Sequence, residues 1–168
     1  MTRTFTIRTS TREDLDGVDA LLRRSYSALL KKAYPPSLLV TAIPLISKAQ
    51  PHLLASGTYY VVTDGPEIVG AGGWTRAVPG GRGNRSARVG HIRHVVTDHR
   101  RVREGIGRSL MDHIFAKARA AGVERLECLS TLMAVPFYSA VGFESLGQRT
   151  LSLRPGIDFP IVQMWRPL

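Results

Sequence analysis

Gly105 and Gly107 bracket Ile106 at the mouth of an amphipathic helix, and Arg100, Arg101, Arg103 and Arg108 crowd the same point. The first turn of a helix carries free N–H groups and the positive end of the macrodipole. Glycines there let a ligand approach the backbone, and guanidinium groups add charge-assisted hydrogen bonds. A phosphate or pyrophosphate is the guest such a mouth suits. The stretch is not a P-loop, because no Gly-Lys-Ser/Thr follows, and Leu110 stands where the third glycine of GxGxxG would fall. Two glycines also fit a plain helix start with a solvated basic rim, so the pattern alone leaves both readings open.

Tyr138 is the second residue that could do chemistry. A phenol with a pKa of about 10 is protonated at neutral pH and can donate to a leaving group. The structural alternative is a buried tyrosine with one fixed hydrogen bond. His91, His94 and Glu127 are possible bases. The two histidines would face opposite ways in a regular strand, and each also reads as an ordinary strand or surface histidine. Cys128 is the only cysteine; its flanks read as a buried strand and no activating pattern surrounds it, so an inert core thiol is expected. The histidines and the cysteine show no metal-ligand spacing, and no metal is expected.

These residues must be positioned by the elements around them. Val89 to Thr97 reads as a strand, Asp98 to Glu104 as a turn, and Ile106, Leu110, Ile114 and Ala118 as one apolar helical stripe closed by Gly122. Arg125 begins a further strand, and Phe137-Tyr138 sit on a short helix after it. Upstream, Phe5 to Arg8 is a short strand. Thr11 and Asp14 start a helix whose face is Leu15, Val18, Leu21, Leu22 and Tyr26. Leu38 to Ile46 is a second helical segment, expected to be interrupted by Pro44. Thr58 to Thr63 and Glu67 to Arg76 are hairpin strands with Asp64-Gly65 as the turn signal. Gly70, Gly72 and Gly73 mark a bulge or a close approach. Val78 to Ala87 is glycine- and arginine-rich and expected to be a loop. Ser145 to Leu153 and Phe159 to Trp165 are the last strands, joined at Pro155-Gly156. This order gives an α/β class with helices on both faces of a mixed sheet.

Together the stretches resemble the GNAT superfamily of acetyl-CoA-dependent N-acetyltransferases. There a loop of pattern Gln/Arg-x-x-Gly-x-Gly/Ala opens a helix that holds the cofactor pyrophosphate. A later Phe-Tyr-x-x-x-Gly-Phe places a tyrosine near the thioester sulfur. The matching residues are Gly105-Ile106-Gly107 and Phe137-Tyr138-Ser139-Ala140-Val141-Gly142-Phe143. The resemblance implies a GNAT-like acyl-CoA N-acyltransferase fold and acetyl transfer to an amine-bearing acceptor. It implies cofactor contacts from Val102, Arg103, Gly105, Ile106, Gly107 and Arg108. By position alone it implies backbone contacts from Val95, Val96 and Thr97, with Tyr138 as the acid. Three departures stand out. Val102 occupies the Gln/Arg position, which would pass the arginine role to Arg103. Thr131 replaces an asparagine that touches the cofactor in many members, and His99 replaces a frequent proline. Many members dimerise, which makes a homodimer an expectation.

Composition bounds the rest. A chain of 168 residues fits one domain over 1–168 with one core. No run approaches the roughly 18 apolar residues of a membrane span. The first residues hold no apolar signal core, and a lone cysteine suits a reducing compartment, so a cytoplasmic setting is expected. The net charge of +10 could serve nucleic acid, an acidic partner or a polyanionic cofactor. No nucleic-acid motif is present, and phosphate cradling accounts better for the arginines at the helix mouth. The alternative to an enzyme is a non-catalytic acyl-CoA-binding or regulatory module.

Overall fold

The computed structural model describes residues 4–77 and 87–168. The segment Val78 to Ala87 therefore lies outside the described residues except for Ala87. Strand β1 (Thr6–Thr9) leads to helix α1 (Leu15–Leu29), then α2 (Pro36–Ile46) and the short α3 (Pro51–Leu54). Strands β2 (Tyr59–Asp64), β3 (Glu67–Thr75) and β4 (Val89–Thr97) follow. Helix α4 (Ile106–Ala120), β5 (Arg125–Ser130), α5 (Val135–Ala140), β6 (Glu144–Arg154) and β7 (Ile157–Pro167) complete the order. The seven strands form one sheet, β1-β2-β3-β4-β5-β7-β6. It is mixed: β4 and β5 run parallel, and every other neighbouring pair is antiparallel.

Hydrophobic periodicity decides which side each helix covers. The stripe Ile106, Leu110, Ile114 and Ala118 of α4 is buried with Tyr60, Val62, Trp74 and Ile92 on one face. Burying each large aliphatic side chain of that stripe contributes about 1.5–3 kcal/mol. Val18, Leu21 and Leu22 of α1 are fully buried on the other face, against Tyr59, Val61, Ala71 and Val96. Helix α2 lays Leu39 and Ala42 against Phe159 and Ile161 of β7.

Two local expectations are corrected. Helix α2 runs through Pro44 without a break. Pro44 lies on the exposed side of the helix, where water can serve the carbonyl left without its amide partner. The hairpin turn is Gly65-Pro66, one residue later than the Asp64-Gly65 signal, because Asp64 still pairs with Glu67. Gly65 takes the positive φ of 58° that this tight reversal requires.

The feature that shapes the site is a bulge in β4. Arg93 lies opposite Gly73 and Val96 opposite Ala71, so His94 and Val95 together face Gly72 alone. The extra residue reverses the alternation of the strand. In an unbroken strand Ile92 and Val96 would share a face; here Ile92 packs under α4 and Val96 under α1. Gly72 makes this possible, since a Cβ there would lie 2.8 Å from Val95 Cγ2 and 3.1 Å from Val95 Cα. His94 adopts φ 44°, and its carbonyl accepts a 2.9 Å hydrogen bond from the Tyr59 hydroxyl.

Candidate active site

The parallel ladder between β4 and β5 is short. It joins Val89–His91 to Arg125–Glu127 and ends there. Beyond it β4 stays on β3, while β5 continues along β7 to Ser130. The strands part, and two cavities open at the split. One is a groove of about 380 Å3 running to the start of α4; the other, about 280 Å3, lies toward α2, β6 and β7. Tyr26, Val95, Thr131, Ala134 and Tyr138 border both.

Every residue that the resemblance implies for the cofactor and for the acid lines the groove. Strand β4 contributes Val95, Val96 and Thr97; the loop contributes Val102, Arg103 and Gly105; α4 contributes Ile106, Gly107 and Arg108. Thr131 and Tyr138 close the far side. The helix mouth leaves backbone amides free. Ser109 N–H makes the first intrahelical bond, to Gly105 C=O at 3.0 Å, so the amides ahead of it are uncommitted within the helix. No acidic side chain lies in the first turn.

The two glycines differ in what fixes them. Gly105 has φ 79° and open space around its missing Cβ, so it is required by conformation. At Gly107 a Cβ would lie 2.9 Å from the Phe137 ring, so this glycine seats Phe137 against the helix.

The four arginines are not equivalent either. Arg100 gives its guanidinium to Asp98 at 2.8 Å and Glu67 at 3.3 Å. Arg101 is buried, pairs with Asp64 at 2.9 Å and Glu104 at 3.2 Å, and lies over the Phe5 ring. Both are tied to carboxylates as scaffold. Arg108 reaches the Ala140 carbonyl at 3.2 Å. Arg103 stays exposed at the rim of the groove with φ 64°. It and His94 are the only non-glycine residues with positive φ among the described residues, and each borders one of the two cavities. Such conformations cost free energy and gather at functional sites.

Asp98 fixes the loop to the rest of the molecule. Its fully buried carboxylate accepts from Arg100 N–H at 3.0 Å, from the Arg100 guanidinium, and from Arg24 of α1 at 3.3 Å. Those hydrogen bonds, those to Arg100 first, hold its carboxyl well below the usual range despite burial.

Tyr138 is 6% exposed, edge-on to Phe137 and Phe143. Burial, then the neighbouring Cys128 thiol and Tyr26 phenol, raise its pKa well above the ordinary 10. Burial likewise pushes Cys128 up to about 12, so the thiol is an inert neighbour. Of the possible bases, His91 and Glu127 pair with each other at 3.7 Å where the strands are still joined, outside the lining of both cavities. His94 lines the second cavity; burial, with Arg93 and His52 adding to it, lowers its pKa to about 4. Sequence reading missed Tyr26, which looked like one more apolar position on α1, and Arg93, whose importance depends on what surrounds it.

The comparisons bear on this arrangement. Residues 44–159 match the family model described as an acetyltransferase (GNAT) domain. No curated protein matches the chain. Among solved structures, a GCN5-related N-acetyltransferase from Rhodopseudomonas palustris superposes with a TM-score of 0.78 at 20% identity, covering 100% of this chain and 98% of that one. The PaiA N-acetyltransferase of Thermoplasma acidophilum, solved with coenzyme A, gives 0.73 at 13% identity, over 98% of this chain and 99% of that one. Ard1 from Thermoplasma volcanium gives 0.68 at 21%, over 98% and 97%. At these identities the superpositions speak for a shared fold, that of a mixed sheet opening between its two parallel strands. With the family model matched over most of its length, this chain belongs to the GNAT acetyltransferase family.

Proposed function

We propose that residues 1–168 form one acetyltransferase domain that moves an acetyl group from acetyl-CoA directly to an amine. The shared wall carries this reading: a donor in the groove and an acceptor in the second cavity would meet at Tyr138.

The residues present suit an acyl-CoA. The free amides at the start of α4, with Arg103 beside them, would hold the pyrophosphate. The edge of β4 beyond His91 has no strand partner on the β5 side, which leaves Val95, Val96 and Thr97 able to bond the amides of the pantetheine arm. Bound acetyl-CoA supplies the acyl group as an activated thioester. An N–H at the bulge can polarise the carbonyl, because the backbone there is already fixed in place. Tyr138 keeps its proton and donates to the departing sulfur. His94 stays neutral and offers a ring nitrogen to the amine N–H. With a pKa near 4 it cannot hold the proton of an ammonium group, whose pKa is about 10. That proton leaves through water before attack; as the C–N bond forms and the C–S bond breaks, the nitrogen sheds a second proton to water, which restores the one Tyr138 gives to sulfur.

The setting we propose is the cytoplasm, on the buried unpaired Cys128. Among the described residues no helix is long and apolar enough to cross a membrane. The test is thiol release from acetyl-CoA across a broad amine panel, with the product identified by mass spectrometry. Amine-dependent release is expected. Acetyl-CoA binding in calorimetry without release by any amine would leave the acyl-CoA-binding alternative standing. Absence of binding would overturn both.

A further inference from the structure

The second cavity holds one cation whose charge nothing answers among the described residues. Arg93 is half-buried and lines the cavity, and its one hydrogen bond there is to the Thr75 hydroxyl at 3.1 Å. Among the described residues no carboxylate pairs with it; Glu127, on the neighbouring strand, is engaged by Arg125 and His91. The undescribed residues, 1–3 and 78–86, contain no Asp or Glu to supply one. Burial lowers the Arg93 pKa and no acidic neighbour opposes it, whereas carboxylates raise Arg100 and Arg101. A guanidinium has five donors in a planar fork suited to two oxygens of one anion, and Thr75 occupies one of them. Water is the alternative partner, but the cavity's remaining wall favours a ligand with an apolar part. Leu129, Leu151, Leu153, Phe159 and Ile161 line it, with Gln50, His94 and Thr131 among the polar groups.

We infer that the acceptor is an amine that also carries a carboxylate and an apolar body. Arg93 takes the carboxylate, the apolar wall takes the body, and the amine lies toward Tyr138 and the groove. This rests on the acetyltransferase reading above and narrows it. An apolar amino acid has this chemistry; a polyamine, with no anion, lacks it and would meet Arg93 as a like charge. A half-buried cation without a counter-ion is partly desolvated at a cost, and an anionic ligand offsets that cost.

The full chain with saturating acetyl-CoA tests it on matched acceptors: L-leucine, L-leucinamide and isopentylamine. L-Leucine should exceed both neutral-ended amines in kcat/KM by at least about tenfold, the scale of one charge-assisted hydrogen bond. Arg93→Gln should reduce that preference to within about twofold, and Arg93→Lys should restore part of it. Calorimetry with acetyl-CoA on each variant checks that the fold and the groove survive. Equal use of leucine and leucinamide by the wild type overturns the inference, as does an equal loss with both in Arg93→Gln. If turnover is absent, titrating L-leucine into the CoA-bound chain decides: binding that Arg93→Gln abolishes supports the inference, and no binding overturns it. Loss of acetyl-CoA binding in the wild type strikes the donor reading itself, which separates the two failures.

Discussion

The two cavities differ in how their positive charge is held. Around the groove at the start of α4, Arg100 and Arg101 are neutralised by Asp98, Glu67, Asp64 and Glu104. In the second cavity Arg93 has only a hydroxyl among the described residues. An arginine-rich stretch is conspicuous in sequence, yet half of its charge at the helix mouth is structural. A single arginine in a strand is inconspicuous, yet Arg93 is half-buried without a carboxylate among the described residues. What locates a binding charge is its missing partner, and partners are a property of the fold.

The largest expected effect concerns the wall between the cavities. Tyr138→Phe keeps the ring and its edge contacts with Phe137 and Phe143 and removes the hydroxyl. General-acid assistance is about 10²–10⁴-fold, so kcat should fall by at least about tenfold while the acetyl-CoA affinity measured by calorimetry is kept. Pre-steady-state acetyl transfer is the measurement to use, because slow product release would hide the loss. A lower melting temperature with near-normal transfer would make Tyr138 a packing residue and leave Tyr26 as the phenol that borders both cavities.

The next effect tests the paired side of the contrast. Asp98→Asn leaves Arg24 and Arg100 facing a neutral amide in a fully buried position. Urea unfolding should show a loss of about 2 kcal/mol, the scale of a hydrogen bond to a charged group. Acetyl-CoA affinity should fall with it as the loop loosens. The sign of the pH dependence follows from the depressed carboxyl. Its contribution is fully present above the ordinary value of 3.8 and is lost as pH falls through the lower folded value. Acid unfolding below about pH 4 should therefore be shallower in Asp98→Asn than in the wild type. Parallel acid profiles would show that Asp98 is not the group responsible; Asp14, depressed by its hydrogen bond from Arg8, would be the next to test.

Much of the donor side was legible because it is carried by one contiguous segment. A strand, a basic turn and a helix from 89 to 120 are close in sequence, and their glycines and apolar spacing have local causes. Even the bulge left a mark, in Gly70, Gly72 and Gly73 on the facing strand. What could not be read was that Gly105 answers to backbone conformation and Gly107 to packing, since Phe137 meets Gly107 only after the chain returns through β5. Of the second cavity only His94, Val95, Thr131 and Tyr138 were singled out by the sequence as site residues. Ile46, Arg93, Leu151 and Phe159 meet there from four separate elements, and each reads on its own as ordinary core or surface. His94 looked equivalent to His91 until the bulge placed it beside the cavity.

The smallest effects address the departure at Val102. Arg103→Ala should weaken acetyl-CoA by about fivefold, in keeping with the ~1 kcal/mol of an exposed charge contact, and the effect should shrink in high salt. Val102→Arg restores the family residue at a position that can take it. Val102 is 59% exposed, lines the groove and has extended backbone angles (φ −67°, ψ 151°), so no core contact is lost and no strain is introduced. It should tighten acetyl-CoA by about two- to threefold at low salt. The decisive measurement is the double variant, Val102→Arg with Arg103→Ala. If Arg103 has taken over the role of the missing arginine, the two guanidinium groups compete for the same phosphate oxygens. Arg103→Ala should then cost less in the Val102→Arg background than in the wild type. Additive changes in calorimetric affinity would mean the two positions touch different parts of the ligand. The positive φ of Arg103 would then need another cause than phosphate binding, and the contrast between paired and open arginines would rest on Arg93 alone.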